Sequence, residues 1–225
     1  MDSYVISLGG SVFNQENIED ILGEYSTIVN SLIEKHVMYF VIGGGMLARR
    51  YIEKASIFNP NKYFLDEIGI MATRINAMLF VASLKINNLK VSYSIEDACE
   101  FARDYNIAVV GGIMPGITTD GVSALLAEAC NAKMVINATN VDAIYTDDPK
   151  INKNVKKISK MYLDDLITQV SKSESYPGRS GVFDLFGCKI LQRSKIPLRV
   201  INGTIAKNVY SIIEENSDIG TVVIP

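Results

Sequence analysis

The chain has 225 residues, 48% of them hydrophobic and 21% charged, with 22 Lys and Arg against 25 Asp and Glu and a net charge of −3. That balance leaves no electrostatic footprint for nucleic acid or an anionic membrane surface. The three cysteines, Cys99, Cys130 and Cys188, form no CxxC pair, which disfavours a disulfide frame or zinc knuckle and predicts three buried thiols.

Read in chain order, the sequence repeats strand, glycine turn, helix. Residues 3–8 (SYVISL) read as a buried strand ending in Gly9, Gly10 and Ser11. From Asn17 to about Lys35, apolar residues recur at 3–4 spacing, the mark of an amphipathic helix. His36, the only histidine, reads as a surface helix terminator. Residues 37–42 (VMYFVI) form a second strand, followed by Gly43, Gly44 and Gly45. Helices are predicted from about Met46 to Ile57 and from about Leu65 to Ser83. A short strand is expected at 89–93, a helix at 95–105, and a strand at 107–110 ending in Gly111 and Gly112. Thr118, Thr119 and Asp120 open a helix to about Asn131, and 134–138 is a further strand.

The last third is more polar. Residues 151–180 read as a β-hairpin plus a loop, with 171–181 the most flexible piece. A helix over 182–194, a strand over 198–201, a helix over 205–215 and a strand over 221–224 close the chain. Alternating buried strands and helices imply an α/β fold, a three-layer αβα sandwich around a central, mostly parallel sheet. The length suits one domain with two lobes, about 1–135 and about 136–225. No leader segment is visible and no apolar run approaches ~20 residues, so a cytoplasmic protein without a membrane span is expected.

Three segments carry chemistry. The glycine turns at 9–10, 43–45 and 111–112 each follow a strand, at the edge where parallel sheets bind ligands. Glycine lets backbone N–H groups approach phosphate oxygens, and the helix start behind the turn adds partial positive charge. No GKS or GKT is present and GGGMLA lacks the dinucleotide spacing, so P-loop and simple Rossmann readings are disfavoured. In 115–120 (PGITTD), Asp120 either caps a helix or faces phosphates, where it orients a cation or holds Mg²⁺ through water. In 139–149 (TNVDAIYTDDP), Tyr145 and Asp148 read as base and ribose contacts or as a turn with solvated acids.

Together, SLGGSV (7–12), VIGGGMLARRYI (41–52), FLDEIGIMATRINAM (64–78), GGIMPGITTDGVSALLAE (111–128), ATNVDAIYTDDPK (138–150) and FDLFGCKILQRSKIPLRVING (183–203) resemble the archaeal type of uridylate kinase, a branch of the amino-acid-kinase superfamily. The resemblance implies reversible phosphoryl transfer from Mg²⁺-bound ATP to UMP in pyrimidine nucleotide biosynthesis, and a homohexamer built as a trimer of dimers. It places ATP on Gly9, Gly10, Ser11, Gly45, Arg49, Thr139, Asn140, Tyr145 and Asp148. It places UMP on Gly44, on Asp66 at the ribose hydroxyls, and on Met114, Pro115, Gly116, Ile117, Thr118, Thr119 and Asp120. Asp120 and Arg49 become catalytic. No residue is assigned as a direct metal ligand.

Two departures stand out. Where bacterial relatives and some archaeal ones carry a first-strand lysine, this chain has Ser7, so another cation must neutralise charge on the transferring group. Lys189, on the helix after Asp184, is the candidate. Ala143 stands where relatives often have glycine, and a small local backbone change is expected there. Two other readings stay open: a sister kinase such as an isopentenyl phosphate kinase, and a nucleotide-storage protein of the same fold. The position of His36, before the second strand and away from the ligand edge, weighs against the first. The missing lysine keeps the second open.

Overall fold

Runs of aliphatic and aromatic residues place the centre of the sheet. In the computed structural model, which describes residues 1–147, 152, 154–174 and 182–225, β1 (Ser3–Leu8) and β2 (Val37–Ile42) are buried on both faces. Strands of a parallel sheet covered by helices on both sides require this. β3 (Val91–Ser92), β4 (Ile107–Val110), β5 (Met134–Thr139), β8 (Lys160–Tyr162), β9 (Leu198–Asn202) and β10 (Thr221–Ile224) complete an eight-stranded sheet in the order β3-β4-β2-β1-β5-β9-β10-β8. Six strands run parallel. β10 lies antiparallel to β9 and β8 is parallel to β10, so this last pair runs the other way. β6 (Ile144–Tyr145) and β7 (Lys157–Ile158) form a separate antiparallel pair.

The two sheet faces bury different residues of the same strands. Tyr4, Ile6 and Leu8 of β1 pack with α1 (Ile18–Leu32), α3 (Lys62–Leu84) and α8 (Lys207–Glu214). Val5 packs on the opposite face with α4 (Ile95–Tyr105), α5 (Thr119–Ala129), α6 (Leu163–Glu174) and α7 (Leu185–Ser194). The period of two along a strand produces this division. α2 (Gly45–Ser56) lies against α3. Phe40 and Phe80 meet at 4.8 Å between ring centroids, and Tyr25 joins Phe80 at 6.0 Å. The Tyr25 hydroxyl donates to Gly203 O at 2.9 Å, which ties α1 to the loop after β9.

The expected three-layer architecture is present. Several local readings are corrected. Residues 163–174 form helix α6 rather than part of a hairpin and loop. Leu163, Leu166, Ile167 and Val170 repeat at helical spacing and turn inward, and the polar residues between them hid that period. The antiparallel pair joins 144–145 to 157–158 instead, while residues 175–181 of the expected flexible piece lie outside the described residues. α7 begins at Leu185, not 182, because Asp184 caps it, its carboxylate accepting from Gly187 N–H. His36 is half-buried rather than solvated: Nε2 meets Glu214 at 2.8 Å and the ring packs edge-on against Tyr4. Of the three free thiols only Cys188 is fully buried; Cys99 and Cys130 are half-buried. α3 spans 23 residues and is long and apolar enough to cross a membrane by length and composition alone, although Asp66, Glu67 and Arg74 interrupt its apolar run. In this fold its inner face, with Ile70, Ala77, Phe80 and Leu84, is buried.

Candidate active site

The sheet reverses its strand order around β1: β2 lies on one side, β5 on the other. Such a switch opens a crevice at the carboxyl ends of the strands. β1 and β2 are in register from Ser3↔Val37 to Leu8↔Ile42, so their glycine turns begin at the same height. The turns then touch. A Cβ on Gly10 would lie 2.0 Å from Gly45 N, and one on Gly45, whose φ is +57°, would lie 2.1 Å from Gly10 O. Only glycine permits both that approach and that backbone angle. α2 starts here, and Asn14 Oδ1 accepts from Met46 N–H at 2.8 Å at its first turn. On the β5 side, Gly9 N–H donates to Ala138 O at 2.8 Å, and the Ser11 and Thr139 hydroxyls lie 3.2 Å apart. Gly9, Gly10, Ser11, Gly44, Gly45 and Thr139 therefore share one rim.

Below that rim two helix starts interlock. The Thr118 side chain caps α5, accepting from Gly121 N–H, so Asp120 is not the cap. The same Thr118 hydroxyl donates to the carboxylate of Asp184, the cap of α7. Asp120 sits in the first turn of α5, where Ser7 Oγ donates to its Oδ1 at 3.4 Å. Burial and the neighbouring Asp184 carboxylate push the Asp120 carboxyl up to about 7, against the opposing hydrogen bonds from the Asp184 backbone and Ser7. The charged neighbour of Asp120 is thus an acid. Asn137, opposite Ser7 on β5, is buried and donates to Val182 O at 2.6 Å. Asp184 and Asn137 escaped the sequence reading. A D-L-F-G run is a legible cap signal for Asp184, whereas a buried asparagine within a strand has none.

The remaining candidates divide. Asp66, exposed in the second turn of α3, accepts from Gly116 N–H at 2.9 Å, which brings two predicted acceptor contacts together across 50 residues. Met114 is exposed on that loop, with Pro115 and Ile117 half-buried and Thr119 at the start of α5. Arg49 is exposed on α2, and so is Arg50. Lys189 is exposed on α7, and the groups that act on the Asp120 carboxyl are Asp184 and Ser7. Asn140 is exposed beyond β5, its Oδ1 3.5 Å from Thr139 Oγ1. Tyr145 is half-buried, and its hydroxyl donates to Asp142, which also pairs with Lys157 at 3.2 Å. Asp148 lies outside the described residues. Among the described residues no group of three or more His, Cys, Asp or Glu is placed to hold a metal.

Comparison with known proteins gives consistent results. Residues 2–202 match the model of the amino acid kinase family. The chain is 39% identical to a uridylate kinase from Archaeoglobus fulgidus over 219 residues, covering 97% of this chain and 98% of the relative. It is 40% identical to a uridylate kinase from Pyrococcus abyssi over 224 residues, covering 98% and 99%. The crystal structure of uridylate kinase from Archaeoglobus fulgidus superimposes with a TM-score of 0.88 at 38% identity, over 99% of this chain and 100% of that one. A UMP kinase structure from Bacillus anthracis, at 22% identity and a TM-score of 0.76, shares the fold.

The raised Asp120 carboxyl makes a prediction for the ligand-free protein. Between the ordinary carboxylate value, 3.8, and about 7 the folded chain holds a proton that the unfolded chain releases. Stability from this group therefore falls as pH rises through that window and levels off above it. Asp120→Asn removes the loss. The variant is expected to melt above the parent at pH 8, by about 2–4 °C for each kcal/mol relieved, and near it at pH 4. Melting temperatures of both proteins across pH 4–8 check this; a constant difference overturns it.

Proposed function

The chain belongs to the amino acid kinase family and, within it, to the uridylate kinases, and from that premise we propose that it moves the γ-phosphate of ATP onto UMP, giving UDP and ADP. One observation supports the reading above the others: two glycine turns locked backbone to backbone at one rim of the sheet, with three helix starts around them. Phosphoryl transfer asks for positioning and charge stabilisation more than for covalent chemistry. The phosphate of UMP is already anionic at neutral pH, so no histidine base is required, and His36 stands at the far end of β2.

In this reading the lobe of about residues 1–135 takes UMP and the lobe of about 136–225 takes the ATP base and ribose. Gly9, Gly10, Ser11, Gly45 and Thr139 face the ATP phosphates, while Asn140, Tyr145 and Asp148 border the nucleoside. Gly44, Asp66 and the loop 114–120 hold UMP. Asp66 would exchange its bond to Gly116 for the two ribose hydroxyls, which suit its two oxygens. Arg49, exposed on the helix that starts at this rim, and Lys189, exposed on the helix that starts below it, supply cations in place of the lysine replaced by Ser7. Mg²⁺ held by ATP phosphates would neutralise charge on the transferring group. Asp120, with an acid rather than a base beside it, is a fitting carboxylate to face that ion through water. The setting proposed is cytoplasmic pyrimidine nucleotide biosynthesis.

Self-association completes the proposal. Phe64, Met71, Ile75, Met78 and Leu79 are exposed along α3 at helical spacing. An apolar stripe of this length marks an interaction face, and a second copy offers the same stripe under twofold symmetry. This face would form one interface of the proposed homohexamer.

ADP release is expected from ATP and Mg²⁺ with UMP but not with isopentenyl phosphate, acetylglutamate, aspartate or carbamate. Tight ATP binding without turnover on any acceptor would replace the kinase reading with the storage one. Asp120→Asn should lower kcat roughly 10²-fold with little change in the KM for UMP; near-normal turnover removes Asp120 from the chemistry. The double change Ile75→Glu and Met78→Glu should lower the mass measured by light scattering, and an unchanged mass sinks the α3 interface.

A further inference from the structure

Two polar side chains stand on the otherwise apolar inner face of α3, and the reaction as described uses neither. Thr73 and Asn76 are each 7% exposed, among Ile70, Ala72, Ala77, Phe80 and Leu84. A helical threonine commonly returns its hydroxyl to its own backbone, and Thr73 Oγ1 donates to Ile70 O at 2.6 Å. The same oxygen also accepts from Gly112 N–H, again at 2.6 Å. The Thr73 methyl reaches toward a different turn: a Cβ on Gly44 would lie 3.3 Å from it. A Cβ on Gly111 would lie 2.7 Å from the Thr73 hydroxyl. The Thr73 side chain therefore stands against both the turn after β2 and the turn after β4, beside Ala48 at the first and Ile70 and Arg74 at the second. One helical turn on, Asn76 Nδ2 donates to Gly43 O at 2.8 Å.

We infer that Thr73 is a positioning residue for the acceptor site, its methyl and hydroxyl setting the separation of Gly44 from the Gly111–Gly112 turn that leads into the loop 114–120. The inference rests on the reading of Gly44 and that loop as UMP contacts. Thr73 does not meet the nucleotide; it acts through the two turns. Asn76 has a broader role. Gly43 adjoins the Gly9–Gly10 turn, where a Cβ on Gly43 would lie 2.3 Å from Gly10 N, so Asn76 braces donor and acceptor turns at once.

The size of the effect follows from contact distances. An oxygen accepts a hydrogen bond at 2.6 Å, whereas a methyl group needs about 3.5 Å. Thr73→Val therefore forces Gly112 back by roughly 1 Å and leaves its N–H without a partner. Displacements of that size at a positioned group cost about 10²-fold in rate. Thr73→Ser keeps the hydroxyl and loses only the methyl at Gly44.

The test is steady-state kinetics with ATP and UMP varied separately, corrected for the folded fraction from denaturation curves, on wild type, Thr73→Val, Thr73→Ser and Asn76→Ala. Thr73→Val is expected to lower kcat/KM for UMP about 10²-fold while the KM for ATP stays within about twofold. Thr73→Ser is expected to recover most of the loss. Asn76→Ala is expected to raise both KM values, and carries the test if Thr73→Val does not fold. A Thr73→Val enzyme that loses only folded fraction, with wild-type kcat and UMP KM per folded molecule, overturns the inference. So do equal shifts in both KM values for Thr73→Val, or unchanged values for Asn76→Ala. A wild type without UMP-dependent turnover sinks the kinase reading and this inference with it; an active wild type with an insensitive Thr73→Val sinks this inference alone.

Discussion

The fold turns on the approach of two bare backbones, Gly10 against Gly45, at the ends of neighbouring parallel strands. Parallel pairing without slippage brings β1 and β2 to the same height, and any side chain at either turn would separate them. The contact fixes where α2 begins, so it also fixes where that helix directs its unpaired N–H groups. Burial of the strands on both faces keeps the sheet stiff beneath the contact. What the turns offer a phosphate is therefore set by strand register more than by any single polar side chain.

The floor beneath has the opposite electrostatic character. Ser7, Asn137, Asp120 and Asp184 bring hydroxyl, amide and carboxylate groups together without a lysine or arginine among them. The interlocked caps Thr118 and Asp184 hold α5 and α7 together, and Asp120 sits where those helix starts meet. Amides above and carboxylates below suit an anion that brings its own cation. The floor is held at a cost, which the raised Asp120 carboxyl registers.

Periodicity and glycine placement made most of the layer order readable. VMYFVI and SYVISL are short, largely apolar and rich in β-formers, which reads as strands buried on both sides, and the glycines that follow them marked the ligand edge. α6 was harder, because Asp164, Asp165, Thr168 and Gln169 separate its inward residues and give the segment a loop-like composition. Asp184 was given no role at the start of its helix, so its pairing with Thr118 across 66 residues went unseen. Thr73 and Asn76 show the firmer limit. A threonine or asparagine in an apolar helix looks like tolerated noise until tertiary packing brings a glycine turn against it. Contacts of that kind depend on the meeting of distant segments, and local sequence carries no trace of them.

The two outermost strands also shape how copies of this chain meet. β3 has two residues and β8 has three, with exposed Lys90 preceding the first and exposed Lys160 opening the second. Short, charged edges give a neighbouring molecule almost no ladder to extend. Among the described residues, growth by strand addition, the route to fibrils, is disfavoured at both edges of the eight-stranded sheet.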